Sequence, residues 1–212
     1  MTDCQQLDGV VVLSGSESLN SSISELVPAD VPIVFSSKES CLDRFAEVLE
    51  KFPAETAVRI SGGDPFVDPF LVDRLVVTAF EQDNCDYVSY CSRDGQPAIL
   101  SSAGVYAEWF RTAALRLAAR KVTSQEDRRN PTRYIYSHPE LFSLRLIPTP
   151  DRIDRDDVRL TLDIEEDWEN ALAIFDAIDP DEVDWQRIAN LLDHQPAMRS
   201  RMAALNREHR KV

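Results

Sequence analysis

The chain has 212 residues and 24.0 kDa, enough for one large domain or two small ones around a substantial core. Its 23 Lys and Arg against 37 Asp and Glu leave a formal net charge of −14 and a pI near 4.6, which argues against nucleic acid or an anionic membrane as the main partner. The 6 glycines build neither G-x-G-x-x-G nor G-x-x-x-x-G-K-[ST], so a glycine-cradled dinucleotide site or a P-loop is not expected.

Cys4, Cys41, Cys85 and Cys91 lack C-x-x-C spacing and a neighbouring histidine, and read as reduced structural thiols. No apolar run reaches membrane-spanning length, and MTDCQQLDG lacks the order of a signal peptide. The expectation is a cytoplasmic protein with no membrane insertion.

In chain order, Gly9–Ser14 is a short β-branched run and reads as a buried strand. Ser22 and Glu25 have capping-box spacing for a short helix. Residues 32–36 (VPIVF) form a second strand, and Leu42, Phe45, Val48, Leu49 and Phe52 then recur at helical spacing. Residues 56–61 give a third strand. Asp68 and Pro69 then open a helix as N-cap and first residue, which carries Phe70, Leu71 and Leu75 inward. Residues 86–92 give a fourth strand, and Arg93-Asp94-Gly95 is a turn before a short return strand at Pro97–Leu100.

Tyr106, Trp109, Phe110, Ala113 and Leu117 predict a helix over 105–120, and residues 142–148 and 158–164 read as two further strands. Trp168, Ala171, Leu172, Phe175 and Ile178 mark a helical stripe, and two short helices broken near Pro196 are expected at about 184–206, with Met198, Met202 and Leu205 on one face. Continuous hydrophobic strands alternating with helices imply a mostly parallel sheet covered on both faces, within a single α/β domain over 1–212.

Chemistry in such a fold belongs outside the carboxyl ends of the strands, where two acidic loops lie: Ser61–Pro69 and Asp163–Asp167. Carboxylates brought together from them would suit Mg²⁺, which takes a few hard oxygens and bridges to phosphates. Duller roles compete, since Asp68 reads as the N-cap and Asp163 with Glu166 has capping-box spacing. Seven basic residues between Arg111 and Arg133, against Glu126 and Asp127, are either a solvated face or a patch for a phosphate or sugar carboxylate.

RISGGDPFVDPFLVDRLV, DYVSY, RRNPTRYIYSHPELF and RLTLDIEEDWENALAIF together resemble the cytidylyltransferase family of the spore-coat polysaccharide type, related to the CMP-sialic-acid and CMP-ketodeoxyoctonate synthetases. The resemblance implies a Rossmann-like three-layer nucleotidyltransferase fold with a small antiparallel extension, often a homodimer. It also implies transfer of CMP from CTP to a sugar with Mg²⁺. The family's opening strand and its phosphate-holding loop have no counterpart here, because GVVVLS matches the second family strand. Either the sequence begins late or this branch has discarded that cradle.

In the family pattern Thr-Gly-Asp-x-Pro the aspartate is a metal ligand; Gly63 takes its slot here and the acid moves one place on, to Asp64. Asp163 falls on the second metal aspartate, with Thr161 and Asp167 matching its flanks. In the family run Arg-Glu-His-Val-Thr-Pro-Tyr, Arg128 keeps the arginine slot, Arg129 and Asn130 replace Glu-His, and Thr132 and Tyr134 are kept. The resemblance thus implies metal ligands Asp163 and Asp64 and substrate contacts Arg128, Arg129, Thr132, Arg133 and Tyr134. His138 reads as a helix-end histidine. The function expected is a cytidylyltransferase-like protein of nucleotide-sugar or surface-polysaccharide biosynthesis, truncated or catalytically degenerate. The alternatives are active CMP transfer if the missing segment is supplied, or a non-enzymatic α/β ligand- or partner-binding module.

Overall fold

The structure, a computed structural model, describes residues 3–17, 22–81, 84–179 and 182–209. Among them the strands are β1 (Val12–Ser14), β2 (Ile33–Phe35), β3 (Thr56–Arg59), β4 (Tyr87–Cys91), β5 (Glu108–Arg111) and β6 (Leu144–Pro148). The helices are α1 (Ile23–Leu26), α2 (Cys41–Lys51), α3 (Pro69–Phe80), α4 (Thr112–Lys121), α5 (Gln125–Arg129), α6 (Arg133–Tyr136), α7 (Glu165–Ala177), α8 (Trp185–His194) and α9 (Pro196–Glu208). β1 and β2 pair in parallel, Val12 with Ile33 and Ser14 with Phe35. The other four strands follow the order β3-β5-β4-β6 in a parallel-dominated α/β arrangement. Non-consecutive neighbours require crossover connections, which the helices supply.

Two compact units are woven from alternating stretches of chain. The first comprises residues 1–57, 80–87 and 110–144. Its core gathers Leu42 and Leu49 of α2, Tyr87, Phe110, and Ala114, Leu115 and Ala118 of α4, with Ile135 and Phe142. α2 starts where Ser40 Oγ accepts from the Asp43 amide at 3.0 Å, an N-cap that satisfies an orphan donor. The second unit comprises residues 58–79, 88–109 and 145–212. It buries Leu71, Leu75, Trp109, Ile153, Ile174, Ile188 and Met202, and stacks Phe66 on Phe175 with ring centroids 4.8 Å apart.

Several local expectations are corrected. The helix expected over 105–120 begins only at Thr112; residues 103–110 are buried one after another and enter β5, a central strand in which no solvent face survives to reveal a period of two. Residues 158–162 join no sheet: the amides of Val158, Leu160, Thr161 and Leu162 go to the carbonyls of Arg155, Ser102 and Gly63 instead of to a strand. The return strand near Pro97 is one antiparallel bridge to Cys91 followed by a 3₁₀ turn at Ala98–Leu100. Ser22 makes no side-chain cap on α1. Phe70, expected to point inward, is 68% exposed, and Trp168 and Leu172 of the α7 stripe are exposed at 57% and 46%. On α7 the buried face is instead Asp167, Asn170, Ala171 and Ile174.

Candidate functional site

The acidic loops meet in the second unit. Leaving β3, the chain turns sharply, with the Gly63 amide on Ser61 Oγ at 3.2 Å and the Asp64 amide on the Ser61 carbonyl at 3.2 Å. The Leu162 amide donates to the Gly63 carbonyl at 2.7 Å, so Asp64 and Asp163 each follow a partner of one backbone hydrogen bond. A Cβ on Gly63 would stand 3.3 Å from the Leu162 carbonyl oxygen, so a side chain there would point into this junction. Asp64 is half-buried, and the Asp163 side chain is 39% exposed.

Asp163 stands on a rigid seat. Its Oδ2 accepts from Thr161 Oγ1 at 3.0 Å and lies 3.6 Å from Arg159 Nη2. Arg159 is buried and forks onto Asp167, Nε to Oδ1 at 2.6 Å and Nη2 to Oδ2 at 2.8 Å. Asp167 Oδ2 also accepts from the amides of Asp163 and Ile164 at 2.9 and 3.2 Å. Asp167, rather than Glu166, therefore closes the N-terminus of α7, and Ile164 rather than Asp163 is its N-cap. A buried ion pair needs such extra hydrogen bonds to offset the loss of hydration.

The Ser102 carbonyl accepts from the amides of Leu160 and Thr161 at 2.7 and 3.3 Å, and its hydroxyl accepts from Arg159 Nη1 at 3.2 Å. Gly104, at φ +62°, lies so close to the 160–161 backbone that a Cβ would come within 2.7 Å of it. Only glycine fits both that conformation and that approach.

Asp68 is the N-cap the sequence suggests. Its Oδ1 accepts from the Phe70 and Leu71 amides at 2.8 and 3.1 Å, and its Oδ2 ties down the Trp185 amide at the start of α8 at 3.0 Å.

The 128–134 run lies in the first unit. Arg128 reaches both Asp43 carboxylate oxygens, at 3.1 and 3.3 Å, and Arg133 pairs with Glu126 and Asp127 at 2.6 and 3.2 Å. Arg129 is exposed. Thr132 is fully buried, with Oγ1 on Asn130 Oδ1 at 3.2 Å. Tyr134 stacks on His138 with centroids 3.9 Å apart, and His138 Nδ1 lies 2.8 Å from the Tyr134 carbonyl, as befits a helix-end histidine.

One feature of this unit escapes sequence reading. A cleft of about 510 Å³ opens beyond the carboxyl ends of β1 and β2, lined by Gly15, Ser16, Ser36, Ser37, Lys38, Glu39 and Arg44. The buried Ser36 hydroxyl donates to Glu47 Oε2 at 2.6 Å, and Arg44 Nε holds the Lys38 carbonyl at 2.7 Å. Hydrogen bonds from Lys51 first, and then Ser36, hold the Glu47 carboxyl below its ordinary range. Hydroxyls and two cations at the ends of parallel strands suit a polar, anionic small ligand. The signal in the sequence is the pair of small hydroxyl-rich stretches, SGS at the end of β1 and SSK directly after β2.

The sequence profile of the cytidylyltransferase family matches residues 1–193. The chain belongs to the cytidylyltransferase family. The spore coat polysaccharide biosynthesis protein SpsF of Bacillus subtilis is 29% identical over 163 residues, 76% of this chain and 64% of that one, so the chain spans less than two thirds of that relative. Among solved structures, a cytidylyltransferase from Leptospira borgpetersenii superposes with a TM-score of 0.79 at 18% identity, covering 93% of this chain and 81% of that one. A CMP:2-keto-3-deoxy-manno-octonic acid synthetase complexed with CTP gives 0.60 at 12% identity, covering 83% and 84%. The Rossmann-like nucleotidyltransferase fold follows from these likenesses. Among the described residues of this chain no three His, Cys, Asp or Glu converge as a metal cage, no helix is long and apolar enough to cross a membrane, and the four cysteines are free thiols.

Proposed function

We propose that this member of the cytidylyltransferase family acts in nucleotide-sugar chemistry for a surface polysaccharide, binds a cytidine nucleotide with a divalent cation, and is catalytically degenerate in CMP transfer. The observation that carries the reading is the junction at Gly63. The position that holds a metal aspartate in the family aims at the Leu162 carbonyl, one residue from Asp163, and here bears no side chain. Asp64 follows it by one residue. Two hard carboxylates, completed by phosphate oxygens and water, still fit a small dication such as Mg²⁺, which does not need a protein cage. When bound, such an ion offsets charge on the phosphates.

The chain's own groups supply the rest. Within the first unit, the hydroxyls of Ser16 and Ser37 with Lys38 and Arg44 are proposed to take an anionic small ligand. Arg128, Arg129, Thr132, Arg133 and Tyr134 are proposed for the sugar side, with exposed Arg129 the group best placed to meet a carboxylate. The polysaccharide role draws on the name of the SpsF relative, and the nucleotide on the CTP complex of the synthetase. Continuous coverage of 1–193 by one family profile supports treating the interleaved units as one functional domain. Exposed Trp168 and Leu172, four apart on α7, supply apolar surface for the homodimer that the resemblance implies. A CTP-dependent role supports the reading of a cytoplasmic protein.

The test is pyrophosphate release from CTP and Mg²⁺ with a panel of sugar acids, alongside calorimetry of CTP binding. No turnover above the Asp163→Ala background is expected, with Mg²⁺-dependent CTP binding that Asp163→Ala abolishes. Vigorous turnover lost in that variant overturns the degeneracy, and binding unaffected by it overturns the site.

A further inference from the structure

We infer that Thr161 is a positioning residue, whose hydroxyl fixes the Asp163 carboxylate in the orientation that takes a divalent cation; this rests on the metal role proposed above for Asp163. Thr161 is buried at 3% exposure, so water cannot readily satisfy its hydroxyl, and Oγ1 lies 3.0 Å from Asp163 Oδ2. A hydroxyl donating to a carboxylate makes a charge-assisted bond, stronger than a neutral one. Asp163 itself projects from a loop with 39% of its side chain in solvent, where an unheld carboxylate would sample several rotamers.

Thr161 can do this because its backbone is held on both sides. Its amide and that of Leu160 share the Ser102 carbonyl, and Gly104 packs against the 160–161 backbone with no room for a Cβ. From the other side, Asp167 Oδ2 holds the amides of Asp163 and Ile164 while Arg159 locks Asp167. Residue 163 is therefore fixed twice, its backbone through Asp167 and its carboxylate through Thr161. The Arg159 guanidinium, 3.6 Å from the same Oδ2, offsets part of the negative charge. A cation is consequently drawn in together with phosphate oxygens, and the assay carries CTP.

The experiment measures Mn²⁺ binding to the full chain in the presence of CTP, by the paramagnetic resonance signal of the free ion, with the thermal midpoint as a control on folding. Thr161→Val removes the hydroxyl and is expected to weaken Mn²⁺ binding about tenfold, the lower end of what loss of a ligand-orienting partner costs. Its thermal midpoint stays within a few degrees of the parent protein. Thr161→Ser keeps the hydroxyl and restores binding to within about twofold of the parent. Parent-like affinity in Thr161→Val overturns the inference and leaves the proposed function standing. Equal loss in both variants overturns it too, since packing would then be the cause. Absence of Mn²⁺ binding in the parent protein, or its persistence in Asp163→Ala, overturns the metal role and the inference together.

Discussion

Residues 159–167 and 126–133 are both stretches where arginines meet acids, yet they use charge in opposite ways. Arg159 and Asp167 are almost wholly removed from water, at 1% and 0% side-chain exposure; Arg159 also donates to Ser102 and Asn206, and Asp167 accepts from the Asp163 and Ile164 amides. Arg128–Asp43 and Arg133–Glu126 stand half in solvent, at 35% and 42% and at 37% and 68%. A buried pair holds geometry because breaking it strands a charge, whereas a surface pair exchanges protein for water at little cost. The first stretch is a scaffold. The second can release its arginines to a ligand with only a small loss.

That contrast can be broken most directly at Asp167. Asp167→Ala leaves Arg159 buried without its carboxylate and should cost about 3–5 kcal/mol in urea unfolding; a loss below about 1 kcal/mol would place the two stretches in one class. Arg133→Ala should cost no more than about 1 kcal/mol in the same measurement, and sodium chloride should erase the difference.

The smallest effect is expected from a surface network in the second unit. Asp193 is held down to about 2, first by its bond to Arg152 and then by Arg155. Its folded value is depressed, so the stability it adds is present above the ordinary aspartate value of about 4 and fades as pH falls toward 2. Asp193→Asn should lower the thermal midpoint slightly at neutral pH and flatten the acid limb, so that variant and parent converge as pH falls toward 2. An identical acid limb in the variant would show that the network does not couple to folding.

Legibility from sequence followed the same physics. β1 to β4 are short β-branched runs with turn residues on either side, and they stand close to where the sequence places them. β5 was hidden because Tyr106, Trp109 and Phe110 fall at helical spacing by coincidence, while burial on every side removes the alternation that marks a strand. Asp68 was legible as a cap because capping is local. The Arg159–Asp167 fork was not, since a pair eight residues apart across a loop has no periodic signature. The cleft was illegible for a related reason: its hydroxyls and cations come from two loops that converge only once β1 and β2 lie parallel.

Of the 6 glycines, Gly63 and Gly104 both press against residues 160–162, from chain segments far removed in sequence. The seat of Asp163 therefore exists only after two long loops have closed, and closure entropy must be met before any of its hydrogen bonds forms. Helices such as α2 and α4 need no such wait. During refolding, far-ultraviolet ellipticity should consequently recover ahead of the metal-nucleotide binding proposed for this seat.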